Sequence, residues 1–228
     1  MTIQWFPGHM VETENLLKKA ISKVDVVLEI LDARLPQASA NPFVNKICKD
    51  KFRLKVLNKS DLADPEQTKL WLHYFEKQKK NPAISICGSQ KSQAYSALNY
   101  CIDKVNRNRS RKLKVMVVGI PNTGKSTILN TLAGKKIAKT GNVPAITRHQ
   151  QRTSLENNID IYDTPGILWP VIESDQKAYI LAASGAISDT AIDYNDIAFF
   201  TAGLLIKRYP ELLMKRYPFL KTIPEDET

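Results

Sequence analysis

At 228 residues the chain suffices for one good-sized domain with a small appendage. Its 43% hydrophobic content supports a packed core, while 33 Lys+Arg against 23 Asp+Glu leave a net charge of +10, an excess that suits a polyanionic partner, either nucleic acid or an anionic membrane surface. No apolar run reaches the roughly 18 residues of a spanning helix, the N-terminal residues lack the basic start of a secretory signal, and Cys48, Cys87 and Cys101 are too scattered for a disulfide framework or a zinc site, so a soluble, reduced, cytoplasmic protein is expected.

In chain order, helical periodicity first covers Val11–Val24, with Leu17, Ile21 and Val24 on one face. Apolar, β-rich runs predict strands at Val26–Leu31 and Leu54–Leu57. A helix over Glu66–Lys80 leads to a strand at Ala83–Cys87 and a second helix over Ala94–Val105. Lys104–Lys114 carries six basic and no acidic residues and leads into a strand at Lys114–Val118. A helix follows over Lys125–Ala133, then strands at Gln151–Leu155 and Ile159–Tyr162. After Trp169 only helices are expected, over Asp175–Ile187 and Tyr194–Arg208, with Pro210 starting a third. This alternation predicts an α/β fold with a mainly parallel sheet, helices on both faces and a short C-terminal all-α segment. The domains are expected at residues 1–172 and 173–228.

Gly119-Ile-Pro-Asn-Thr-Gly124-Lys125-Ser126 matches G-x-x-x-x-G-K-[ST] between a predicted strand and a predicted helix, the context a phosphate-binding loop requires. Backbone N–H groups of such a loop converge on phosphates, Lys125 reaches the β- and γ-phosphates, and the Ser126 hydroxyl suits Mg²⁺. The base is read elsewhere. In Asn58-Lys59-Ser60-Asp61, the Asp61 carboxylate can accept from both N1–H and the 2-amino group of guanine, and Asn58 can reach N7 while tying its loop to the phosphate loop. Adenine would leave that carboxylate unpaired, enough for discrimination of about 10⁴. Cys87, Gly88, Lys59, Asn122, Thr123, Gly124 and Thr127 complete the expected nucleotide-binding set. Asp163-Thr-Pro-Gly166 supplies a carboxylate for Mg²⁺ and a Gly166 N–H for the γ-phosphate. Of two threonines in Thr140–Thr147, Thr147 is the better placed to cover Mg²⁺.

The order of these motifs is inverted relative to ordinary GTPases, in which the phosphate loop comes first, then D-x-x-G, then N-K-x-D. Circular permutation is the simplest reading of a parallel sheet cut and rejoined where its ends lie close. The sequence resembles the circularly permuted bacterial ribosome-assembly GTPases of the RbgA/YlqF family. The resemblance rests on Trp5-Phe-Pro-Gly-His-Met10, Asp32-Ala-Arg34 with Pro36, Asn58–Asp61, Gly119–Ser126, Asp163–Gly166 and the following Ile-Leu-Trp169-Pro, and it covers nearly the whole chain. It implies a circularly permuted P-loop GTPase acting late in assembly of the large (50S) ribosomal subunit, with rRNA as partner. Two departures stand out. The family's usual Pro-Gly-x-Thr is here Pro144-Ala145-Ile146-Thr147, a stiffer loop. The family's C-terminal helical domain runs longer than residues 173–228, so a truncated or reduced version is expected.

The position after D-x-x-G, where many GTPases carry a water-orienting glutamine, is Ile167. Residues alone leave His9 open between an exposed residue and a catalytic one; the resemblance favours catalysis. Asn122 resembles the asparagine of potassium-assisted GTPases, and a solvated loop asparagine is the equal alternative. Asp32 and Arg34 suggest an internal salt bridge. The basic segments 104–114, 135–139 and 148–152 are rRNA contacts or solvated faces. Trp5 and Phe6 either stack on a base or are buried. The expected function is a GTP-hydrolysing assembly factor, a monomer that is slow alone and stimulated by the ribosomal subunit, using Mg²⁺, with K⁺ as a second candidate cation. The alternatives are a GTPase switch binding a protein effector at a membrane surface, for which no lipidation signal is present, and a non-hydrolysing GTP-binding module.

Overall fold

The computed structural model describes residues 17–48, 51–78, 82–105, 111–138, 151–155, 158–166, 168, 172, 174–187, 193–220 and 222. His9, Thr147 and Ile167 lie outside them, as do Trp5 and Phe6.

Six strands form one sheet: β1 (Val26–Asp32), β2 (Phe52–Asn58), β3 (Ala83–Ile86), β4 (Leu113–Val118), β5 (Gln151–Leu155) and β6 (Ile159–Asp163). Their spatial order is β3-β2-β1-β4-β6-β5. All neighbours run parallel except β5 and β6, which pair antiparallel from Gln151 opposite Asp163 to Leu155 opposite Ile159. Strands β1 and β2 pair over their full length, Val26 with Phe52 through Asp32 with Asn58.

A strand covered on both faces reads as a continuous apolar run, and β1 is buried at every position. Val26, Leu28 and Ile30 share one core with Leu98 of the Lys91–Lys104 helix and with Ile128, Leu129 and Leu132 of the Lys125–Ala133 helix. Val27 turns to the other face and packs with Leu17, Ile21, Val24 and Val44. Leu31 and Leu57 meet Phe75 of the Pro65–Lys77 helix on that face. Glu29 points the same way as Val27 and is fully buried; Lys55 Nζ lies 2.8 Å and Arg53 3.5 Å from its Oε2.

Each expected strand is present, extended by a residue or two at some ends. Strand β3 stops at Ile86, one residue before the expected Cys87. Residues 17–21 of the first expected helix are helical. Two short helices, Pro36–Ser39 and Pro42–Ile47, fall in a stretch with no expected element. Both begin with proline at the first turn, and the Asn41 side chain accepts from the Phe43 N–H as a cap.

The helix expected over Asp175–Ile187 ends at Ala183. Gly185, at φ +75°, turns the chain out of the helix. Helices Tyr194–Arg208 and Pro210–Arg216 follow. Leu181, Ala182, Ala186 and Ile187 form one core with Ala38, Ile120 and Leu168, so a shared core crosses the expected boundary at 172/173.

Candidate functional site

In a parallel sheet the carboxyl ends of the strands all open at one edge, which is where ligands bind. Here that edge gathers Asp32 (β1), Asn58 (β2), Cys87 after β3, Gly119 after β4 and Asp163 (β6). The permuted motif order is erased in space, because adjacency in the sheet replaces adjacency in the chain.

Asn58 is the fastener. Its buried amide donates from Nδ2 to the Thr123 carbonyl at 2.8 Å, and its Oδ1 accepts from the Gly88 N–H at 2.8 Å. Three loops far apart in sequence are thus tied by one side chain. The fit demands glycine: a Cβ on Gly88 would stand 2.6 Å from Asn58 Oδ1, and one on Gly124, at φ +89°, would collide with Asn58 Nδ2. Cys87 is buried, its N–H donating to Gln93 Oε1 at 2.7 Å.

Lys59 sits at φ +62°, and the exposed Asp61 follows on the short turn Ser60–Leu62. The Lys59 ammonium donates to the Asn122 carbonyl at 2.6 Å, fixing the N-K-S-D segment against the phosphate loop. Asn122 is itself left-handed, at φ +59°, and its Nδ2 donates to the Ser184 carbonyl at 2.9 Å. Thr123 is buried and its hydroxyl donates to the Ile120 carbonyl at 3.1 Å. Gly124 caps the Lys125–Ala133 helix, and Lys125, Ser126 and Thr127 occupy its first turn. Lys125 is buried with its ammonium on the Ile120 carbonyl at 2.8 Å. Burial pulls its pKa down to about 8, against the opposing pull of Asp163.

Asp163 is 4% exposed, and neither carboxylate oxygen has a hydrogen-bond partner. Burial raises its pKa to about 6, only partly offset by Lys125 and the nearby Thr164 N–H. An orphaned buried carboxylate is costly unless a cation faces it. Together with the Ser126 hydroxyl, this is an all-oxygen donor set that fits Mg²⁺. Gly166 closes the site: a Cβ there would come within 2.8 Å of Pro121 Cα and 3.1 Å of Lys125 Nζ.

The expected salt bridge is present. Arg34 forks onto Asp32 at 2.8 and 2.6 Å, and Lys59 Nζ stands 3.0 Å from Asp32 Oδ2. Reasoning from sequence did not connect Asp32 to Lys59 or Asn122 to Ser184. The first link could be suspected from two motifs ending adjacent strands; the second has no sequence signal beyond the Ser184-Gly185 pair.

A phosphate loop, a guanine-type N-K-x-D segment and a D-x-x-G carboxylate at one sheet edge, in permuted chain order, define a circularly permuted P-loop GTPase. The family model for the 50S ribosome-binding GTPase matches residues 114–202. A ribosome biogenesis GTPase A from Priestia megaterium is 43% identical over 99% of this chain and 81% of its own length. One from Thermotoga maritima is 37% identical over 81% of this chain and 66% of its own. The crystal structure of GNP-bound YlqF from T. maritima superposes with a TM-score of 0.66 at 29% identity, covering 94% of this chain and 88% of that one. The chain belongs to the ribosome biogenesis GTPase A (RbgA/YlqF) family, and it is an enzyme that hydrolyses GTP to GDP and phosphate. Among the described residues no helix is long and apolar enough to cross a membrane.

Proposed function

We propose that the protein is a cytoplasmic, monomeric assembly factor that engages the large ribosomal subunit and its rRNA in one nucleotide state and leaves in the other. What carries this reading is the family membership, with relatives named for ribosome biogenesis matching over 99% of the chain. The +10 charge supports it, since rRNA is a polyanion.

The site residues divide the work. Asn58, Lys59 and Asp61 hold the guanine, with Cys87 and Gly88 beside it. Asn122–Thr127 wrap the phosphates, with Lys125 on the β- and γ-oxygens and the Gly166 N–H on the γ-phosphate. Ser126, Asp163 and Thr147 would hold Mg²⁺, which when bound neutralises charge on the β- and γ-phosphates. Asn122 Oδ1 is the ligand we assign to K⁺, its Nδ2 being engaged by Ser184. His9 orients the attacking water in the absence of a glutamine at position 167. Residues 1–172 carry this chemistry, and residues 173–228 carry the nucleotide signal outward.

The test is co-sedimentation with 50S particles in GDP and in a non-hydrolysable GTP analogue. Binding that differs between the two supports the reading; equal binding in both, or binding to anionic liposomes alone, sinks it. Single-turnover hydrolysis tests His9. The isolated protein should turn over at about 10⁻⁴–10⁻² s⁻¹ and accelerate with 50S particles, and His9→Ala should lose most of that acceleration while binding GTP normally. An equal stimulated rate for His9→Ala removes His9 from the mechanism.

A further inference from the structure

The carboxylate of Asp32 lies at the centre of a polar chain that crosses the site. It is 2% exposed, at the carboxyl end of the central strand β1. Its backbone N–H donates to Ser39 Oγ at 3.0 Å. Oδ1 accepts from the Arg34 N–H at 3.0 Å and from Nε at 2.8 Å; Oδ2 takes Arg34 NH2 at 2.6 Å and Lys59 Nζ at 3.0 Å. Burial by itself raises this carboxyl, but the Arg34 fork and Lys59 outweigh it and hold Asp32 below its ordinary value, so it stays ionised through the neutral range.

Lys59 needs that charge. Its backbone is in the left-handed region, and its ammonium spans two loops, donating to the Asn122 carbonyl at 2.6 Å. A flexible four-carbon stem does not hold such a position without a second anchor. Asp32 is the only carboxylate within ion-pair distance of Lys59 among the described residues. The Asp32 carboxylate reaches the base-reading segment through this ammonium, and the strand pairing sets Asp32 opposite Asn58.

We propose that Asp32 is a positioning residue for nucleotide binding: it pins the Lys59 ammonium on the Asn122 carbonyl and so sets the base-reading segment against the phosphate loop before GTP arrives. This rests on the assignment of Asn58–Asp61 and Gly119–Ser126 as the nucleotide site. Arg34 forks across both carboxylate oxygens, sharing Oδ2 with Lys59, and leaves Asp32 fixed at the strand end. Because the Lys59 clamp is the same in the ground and transition states, its loss weakens binding without slowing the chemical step.

Binding of GDP over ADP by the unaltered protein tests the site assignment and is measured first, independently of Asp32. Asp32→Asn keeps the shape and removes the charge. It should raise the Kd for a fluorescent GDP about tenfold, with the single-turnover rate at saturating GTP within about twofold of the unaltered protein. A merely structural role would reduce the fraction of active protein and leave Kd unchanged, which overturns the proposal. The double-mutant cycle with Lys59→Met is the stricter arm: in that background Asp32→Asn should cost about nothing more in Kd, whereas additive losses overturn the proposal. Arg34→Ala, at a side chain one-third exposed, keeps the Asp32–Lys59 contact and should change Kd by less than about threefold. A tenfold loss there assigns the effect to the Asp32–Arg34 corner and overturns the role of Lys59.

Discussion

At the scale of single residues, two carboxylates at the same sheet edge have opposite environments and opposite tests. Asp61 is exposed on its turn, ready for a base with two donors. Asp61→Asn exchanges one acceptor for a donor, so GTP binding should weaken and xanthosine triphosphate binding should strengthen, by at least about tenfold each, in calorimetry. Asp163 is buried with its pKa raised to about 6 from 3.8. A carboxyl with a raised folded-state pKa binds more protons when folded than when unfolded between those values. Stability of the metal-free protein therefore falls as pH rises from about 4 to about 6, and the penalty is fully present at pH 7. Asp163→Asn should stabilise the metal-free protein at pH 7 by about 1–3 kcal/mol while abolishing Mg²⁺-dependent hydrolysis, as read by thermal melting and phosphate release. Protons also compete with the cation, so Mg²⁺ affinity should decline below about pH 6.

Among the elements, β1 and β2 place charges where parallel strands normally carry only aliphatic side chains. Glu29 lies opposite Lys55 in the register, and Arg53 stands 3.5 Å from the same carboxylate. The Lys55 ammonium also stands 5.1 Å from the centroid of the Phe75 ring. Lys55→Met retains the volume and strands a buried carboxylate. Because Arg53 still faces Glu29, the cost should sit near the low end for a broken buried pair, about 3 kcal/mol by urea denaturation. Since this cluster lies mid-strand, remote from the nucleotide edge, affinity for GDP should be unchanged in the folded fraction.

For the whole molecule, the question is how a nucleotide site speaks to the C-terminal helices. The Asn122 amide donates to the Ser184 carbonyl at the end of the Asp175–Ala183 helix. Tyr209, between the last two helices, donates its hydroxyl to Asp64 Oδ2 at 3.1 Å, three residues beyond Asp61. The C-terminal helices are therefore tied both to the phosphate loop and beyond the base-reading turn. Gly185→Ala places a Cβ 2.7 Å from Asn122 Nδ2 at φ +75°, where an L side chain is strained. That variant should melt lower by about 1–2 kcal/mol and loosen GTP binding. Hydrogen exchange should show the amides of residues 181–187 no longer responding to nucleotide.

Much of this protein is legible in its amino-acid sequence alone. Strand and helix periodicity reflects local burial, so β1, β2, β4 and the Lys125–Ala133 helix lie within a residue or two of expectation. The phosphate loop and the N-K-S-D segment are readable because backbone geometry and ligand chemistry both restrict which residues can stand at each position. The inverted motif order alone implies permutation, since a sheet tolerates moved chain ends while its edge cannot change. What the sequence could not determine is which distant side chains meet. That Asn58 would bind Gly88 as well as Thr123, that Asp32 would reach past Arg34 to Lys59, and that a loop asparagine would hold a C-terminal helix all depend on segments 27 to 65 residues apart arriving side by side. Likewise, only the folded packing buries Asp163 and leaves its oxygens without a hydrogen-bond partner, because desolvation is a property of the surroundings and not of the residue.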